Sequence, residues 1–439
     1  MERYGSYRMS EIPCLGSVPA HWKSSKFKFH HFEEDDTVGE YSDDYPLLSL
    51  TKEGVVFRDV ESGKGKFPAS FENYKVVHPD RLIFCLFDID ETPRTIGLSN
   101  HFGMITGAYK LFRTTHDLNP RFSLYTFLVI DNVKGLKPYY TGLRKVVRPE
   151  TFKSLEFTLP PLHEQEQIVE YLDRKTTLID SLIEKTVRKI ELLKEKRTSL
   201  INEVVTKGLN PDVEMKDSGV EWIGEIPSHW SVKRLQWISN IENSGVWGED
   251  DPFEGANEVP IPTTAQLSIE GRWDYDGMAV RYLSDEEKDK YLCRVGDIIV
   301  VKSSGSATNI ITGKCGYIGE GDNRKFGFSN FLLRVRTNEK FHSRFTYFFL
   351  QSNLTKQRIE RMVSATTYPN LKVDEYVKSE LTFPPLNEQE HIVEYLDEQT
   401  SIIDSTITTE EKRIELLKEY RQSLISEVVT GKVKVTRDE

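Results

Sequence analysis

Pro79-Asp80, followed by Asp88 and Asp90, sets carboxylates close together, and metal-dependent phosphodiester cleavage needs clustered carboxylates. The lysine expected beside the second acid is missing, and a surface turn accounts for the same residues. His30-His31 could ligate a metal, yet no histidine partner stands one helical turn away. The segment ITGKCGY (311–317) resembles a phosphate loop only superficially. Cys315 stands where a hydroxyl is needed, and Gly305 is too far upstream to complete the cradle. No HExxH, no GxSxG and no strand-following GxGxxG occurs. The Asn-Pro pairs, Asn119-Pro120 and Asn210-Pro211, continue into Arg121 and Asp212, unlike the Asn-Pro-Pro-Tyr tetrapeptide of amino-methyltransferases. The chain reads as non-catalytic.

Binding chemistry is the alternative. Loops that mix Lys and Arg with Ser, Thr, Asn and aromatics carry the side chains that meet phosphates and base edges. By residue type and loop placement the candidate DNA contacts in the first half are Lys64, Lys66, Arg94, Tyr139, Tyr140, Arg144 and Lys145. In the second half they are Lys302, Ser304, Ser306, Lys314, Arg324, Lys325, Thr367, Tyr368 and Asn370, the last able to pair with adenine.

The elements that must position these loops belong to a chain of 439 residues, 29% charged and 38% hydrophobic, which is ordinary for a globular protein of two to four domains. The net charge of −11 argues at first against nucleic acid, because a basic domain is the usual electrostatic footprint. Much of the acid, however, sits in discrete runs, HFEEDDTVGEYSDD (31–44) and EDDPFEGANE (249–258). The four cysteines match neither a zinc ribbon nor a redox CxxC pair and read as buried thiols. No apolar run is long enough to span a membrane, and the opening residues lack a signal-peptide core, so a cytoplasmic protein without metal or cofactor of its own is expected.

An internal repeat organises the chain. PPLHEQEQIVEYLD (160–173) recurs as PPLNEQEHIVEYLD (384–397), and IELLKEKRTSLINEVVT (190–206) as IELLKEYRQSLISEVVT (414–430), both 224 residues on. Upstream, LGSVPAHW (15–22) answers to IGEIPSHW (223–230), 208 residues on. Between each tryptophan and its Pro-Pro pair the copies share little. Runs such as YKVVHPDRLIFCLF, FSLYTFLVID and VGDIIVVKSSGSATN there read as strands bounded by turns. After each Pro-Pro pair, apolar residues recur at three- and four-residue steps between Glu, Lys and Arg, near the coiled-coil period. Ile179, Ile183, Ile190, Leu193, Leu200 and Val204 form one packing stripe, and Ile403, Ile407, Ile414, Leu417, Leu424 and Val428 the other. Each helix of about 44 residues extends about 65 Å, and two such stripes most simply bury each other as an antiparallel pair.

This frame closely resembles the specificity (S) subunit of type I restriction–modification systems, on the strength of the doubled Pro-Pro-Leu-x-Glu-Gln helix, the IELLKE segments and the Pro-Ala/Ser-His-Trp segments. The resemblance implies an α+β chain with a pseudo-twofold repeat, in which two globular α/β target recognition domains are separated by two long conserved helices forming an antiparallel coiled coil. The implied segments are 1–22 (N-terminal), 23–158 (first recognition domain), 159–208 (first spacer helix), 209–230 (linker and repeat of the N-terminal segment), 231–382 (second recognition domain), 383–432 (second spacer helix) and 433–439 (tail). It further implies double-stranded DNA with a bipartite target and two methyltransferase (M) subunits as partners, with motor/endonuclease (R) subunits joining through the complex. Adenine-N6 methylation and ATP-dependent cleavage then belong to the assembly, and S-adenosylmethionine, ATP and Mg to the partners. Two other readings stay open from the residues alone: a non-DNA scaffold with two globular arms, and a stand-alone nuclease.

Overall fold

A computed structural model describes residues 2–59, 70–142, 145–268, 271–303, 305–306, 309–320, 325–362 and 370–435. The chain divides into two compact units: residues 1–187 with 412–439, and residues 188–411. The division cuts both long helices, Leu162–Lys207 and Leu386–Val429, so each unit holds half of each.

Both helices start directly after their Pro-Pro pair, where proline needs no donor, and carry an acid in the first turn, Glu164 or Glu388. In each unit half of one helix packs antiparallel on half of the other. In the first unit, Arg421 Nε and Nη2 donate to Asp180 at 2.9 and 3.2 Å. In the second, Arg197 Nε donates to Asp404 at 3.0 Å and Lys189 Nζ to Glu410 at 2.6 Å. The twelve stripe residues expected at the seam are all buried or half-buried.

The two variable blocks, which share little at first sight, are built on one plan. The first has a four-stranded antiparallel sheet in the spatial order His31–Glu34, Lys110–Thr114, Arg81–Phe84, Ile96–Ser99. The second repeats that order with Ser239–Glu242, Leu332–Thr337, Ile298–Val301 and Cys315–Tyr317. In each, the strand after the tryptophan pairs with the strand before Pro-Pro: Lys23–Lys26 with Glu156–Leu159, and Ser231–Arg234 with Glu380–Phe383. This closes each block at its base.

A helix lies on each sheet, Pro120–Asn132 in the first unit and Ser343–Gln351 in the second. The first corrects the expectation of a strand for FSLYTFLVID. Asn119 caps the helix, its side chain accepting from the amides of Arg121 and Phe122, and Pro120 takes the first position. Helical periodicity is masked because the helix is covered on several sides: Phe122, Ser123, Tyr125, Thr126, Phe127, Val129, Ile130 and Asp131 are all buried. Aromatic packing dominates the core beneath it. Phe27, Phe84, Phe127 and Phe152 meet at centroid distances of 4.7 to 5.9 Å, and each buried ring stabilises the fold by about 1.5–3 kcal/mol.

Candidate functional site

The repeated motifs of the sequence turn out to be one socket built twice. In the first unit Glu164 accepts from Trp22 Nε1 at 3.0 Å and Tyr4 Oη at 2.7 Å, and its other oxygen lies 2.7 Å from His21 Nε2. Burial pushes the Glu164 carboxyl up, but these three partners outweigh it and hold the group below its usual range. In the second unit Glu388 lies 2.7 Å from His229 Nε2 and accepts from Trp230 Nε1 at 3.1 Å. The tryptophans they anchor are 2% and 1% exposed, and each meets the block helix edge-on, Trp22 on Phe122 and Trp230 on Phe345, at 6.4 Å. Gly431 and Gly208, both at positive φ, let the chain pass over these rings. A Cβ on either would stand 3.0 or 3.1 Å from the indole.

The next residue, glutamine, grips the block helix. Gln165 Nε2 donates to the carbonyls of Pro160 (2.9 Å) and Asp117 (3.0 Å), while its Oε1 accepts the Asn119 amide at 2.8 Å. Gln389 repeats this, donating to Pro384 O at 2.9 Å and accepting the His342 amide at 2.9 Å. The closing Asp of YLD then clamps an arginine in that helix's first turn. Arg121 Nη1 is 2.8 Å from Asp173, which also accepts from Tyr125 Oη at 2.6 Å. Burial and this carboxylate push the Tyr125 phenol up to about 12. Arg344 donates to Asp397 at 2.9 and 2.7 Å and lies over the rings of Tyr317, Tyr347 and Phe348. The pairs Arg121-Phe122 and Arg344-Phe345 are thus a third repeat inside the variable blocks, which a search for longer identities passes over.

The candidate DNA contacts fall into groups. In the first block Tyr140 Oη donates to Asp90 at 2.9 Å, and Lys145 stands 3.4 Å from the same carboxylate and 3.7 Å from Glu91. Burial and the bond to Asp90 push the Tyr140 phenol well up. Tyr139 is packed against the core, and Arg94 lines a separate cleft beside the long helix. In the second block Lys302 Nζ donates to Asn243 O at 2.9 Å, and burial lowers its pKa. The Leu371 amide donates to Lys302 O at 2.8 Å, and Ser303 bridges Asn370, so Lys302 and Asn370 share one edge. Lys314 lies in the turn that returns to Val301, and Lys325 is exposed. Ser306 belongs to the short hairpin Gly305–Ser306 with Asn309–Ile310. Lys64, Lys66, Arg144, Ser304, Arg324, Thr367 and Tyr368 lie outside the described residues.

The catalytic alternatives take ordinary places. Asp80 and Asp88 occupy turns at positive φ, and His31 is core, stacked on Phe27 at 3.7 Å and within 2.8 Å of Ser123 Oγ. Among the described residues no group of three or more His, Cys, Asp or Glu is placed to hold a metal, and no helix is long and apolar enough to cross a membrane.

Two blocks of one plan, each seated on a long helix through the same Glu, Gln and Asp, define a duplicated specificity-type fold. Residues 100–192 and 227–419 match the family described as the type I restriction modification DNA specificity domain, and the chain belongs to that family. It is 25% identical over 302 residues to the type I restriction enzyme MjaVIII specificity subunit of Methanocaldococcus jannaschii, covering 67% of this chain and 66% of that protein. It is 20% identical over 288 residues to the EcoKI specificity subunit of Escherichia coli, covering 65% and 60% respectively. The matched region thus spans just under two thirds, or less, of these relatives' length. Among solved structures, the fold is similar to a chain from work on complex assembly and conformational transition of the type I R-M system, with TM-score 0.68, 14% identity, and 95% and 99% of the two chains covered. It is also similar to the HsdS subunit from Thermoanaerobacter tengcongensis, with TM-score 0.50, 15% identity, and 95% and 98% covered.

Proposed function

We propose that this chain is the DNA specificity subunit of a type I restriction–modification complex, each variable block reading one half of a bipartite duplex target. The duplicated socket carries this reading. It fixes two blocks with different loops on a common support, which is what two unlike half-sites require. B-DNA repeats its groove about every 34 Å, and on this reading the two half-sites are separated by unread base pairs. The blocks at 23–158 and 231–382 act as the recognition domains. Lys302 and Asn370, on one edge of the second, are the clearest described pair for a phosphate and a base contact.

The helices would also dock partners. Away from the seam they expose apolar residues that recur between the copies, Leu178 with Ile402 and Leu192 with Leu416, at 57%, 52%, 49% and 53% exposure. Two equivalent faces suit two copies of one partner, the methyltransferase subunit, with restriction subunits joining through it in the cytoplasm. On this reading the chain positions DNA and catalyses nothing. S-adenosylmethionine, ATP and Mg serve the partners, which methylate adenine at N6 and cleave DNA.

The test replaces residues 23–158 with the block of another family member, co-expresses the chain with its methyltransferase, and sequences the methylome. One half of the methylated sequence is expected to change. Both halves altered overturns the reading, and an assembly with no salt-dependent duplex binding returns the chain to a scaffold. Metal-dependent cutting by the chain alone makes it a nuclease.

A further inference from the structure

We propose that the cleft beside the long helix in the first unit receives a carboxylate borne on an apolar segment of a protein partner, with Arg94 as the group that meets it. This rests on the docking role proposed above. The cleft holds about 1020 Å³ between the first block and both long helices. Its walls include Val55, Leu98, Leu124, Leu128, Ile183 and Ile425. Of the carboxylates lining it, Asp173 is engaged by Arg121 and Tyr125, Asp180 by Nε and Nη2 of Arg421, and Glu53 forms no ion pair with Arg94 among the described residues. Among the described residues Arg94 has neither hydrogen bond nor ion pair. Asp131, which acts on it at longer range, is held by the amide and hydroxyl of Thr95 and by Lys134.

The second unit shows what completes such a site. Its corresponding cleft, about 540 Å³, is lined by the equivalent pairs Arg344–Asp397 and Arg197–Asp404. There the block supplies Arg272, which reaches Asp404 at 3.3 Å. In the first unit the counterpart acid, Asp180, pairs with Arg421 alone, Arg94 reaches no acid among the described residues, and the cleft has roughly twice the volume. Burial and the nearby Arg421 depress the Arg94 pKa, the sign of a cation lacking compensation. A guanidinium in that setting binds best to a planar carboxylate that can accept two parallel bonds. The lining mixes these aliphatic residues with polar ones, and its own carboxylates, Glu53, Asp173 and Asp180, oppose a run of phosphates, so a single acid on a protein segment fits better than a DNA backbone.

The test uses the full chain co-purified with its methyltransferase partner. In an Arg94→Glu variant, native mass spectrometry is expected to show one of two methyltransferase subunits bound about tenfold or more weakly. In an Arg94→Lys variant, which keeps the charge, carbodiimide treatment is expected to join the introduced amine to an Asp or Glu of the partner. The amide forms with loss of water, which the carbodiimide takes up as a urea. Full retention of both partners by Arg94→Glu, or no cross-link from position 94, overturns the proposal. So does a reduced salt slope for duplex binding, which marks a phosphate site. An unaltered chain that binds no methyltransferase fails at the functional reading itself and takes this inference with it.

Discussion

Gln165 accepts the backbone amide of Asn119 at 2.8 Å, and through that bond the first long helix holds the end of the helix that lies on the first block's sheet. Gln389 does the same to His342 in the second unit. Both glutamines are almost wholly buried, 0% and 2% exposed. Replacing either with Leu leaves buried backbone groups unsatisfied and is expected to cost about 1–3 kcal/mol per site. Chemical denaturation of Gln165→Leu and Gln389→Leu checks this, and the double variant is expected to show additive losses because the sites lie in separate units.

His31 makes the first block sensitive to acid. Burial against Phe27 lowers its folded pKa to about 3, against about 6.5 when unfolded. The neutral ring is therefore favoured in the fold, and its stability is fully present above pH about 6.5. As pH falls toward the folded value the unfolded state gains a proton first, and stability declines by about 1.36 kcal/mol per unit. Between pH 7 and 5 this amounts to about 2 kcal/mol. Denaturation curves for the unaltered chain and His31→Gln are expected to diverge across that window, the variant having the shallower pH dependence.

Two of the salt bridges between the long helices should not be equal. Asp180 is 53% exposed and pairs with Arg421, whereas Asp404 is 19% exposed and serves both Arg197 and Arg272. Asp180→Asn is expected to cost less than about 1 kcal/mol and to lose its effect in high salt. Asp404→Asn leaves two arginines without their acid and is expected to cost about 2–3 kcal/mol. Urea midpoints at low and high ionic strength separate the two cases.

On the DNA side, Lys302→Ala and Lys325→Ala are each expected to weaken duplex binding by the assembled complex and to reduce the slope of log affinity against log salt by about 1. Asn370→Ala is expected instead to relax preference at one position of one half-site, by about 1–3 kcal/mol, with the slope kept. Salt titrations on cognate and single-substituted duplexes distinguish the two behaviours.

Much of the frame was legible in the residues. The Pro-Pro pairs and the three- and four-residue steps from Ile168 to Val204 mark the long helices, because only a rigid apolar stripe leaves so regular a trace. The block helix left none, since Tyr125, Phe127 and Val129 are buried on sides that a surface helix would keep polar. The socket was visible only as repeated letters. Gln165 works on a backbone amide, and a backbone partner has no side-chain signature to search for. Likewise the approach of Lys302 to Asn370 depends on a bridge at Ser303 that neither residue type announces.

The socket also bears on heredity. Glu, Gln and Asp on the long helix hold the helix, the tryptophan and the turn of each block, and leave the loops at its edges untouched. Substitutions confined to those loops therefore leave the socket's bonds intact. A chain carrying the same socket twice is thereby expected to accept a foreign block wherever that block brings its own tryptophan, cap and first-turn arginine.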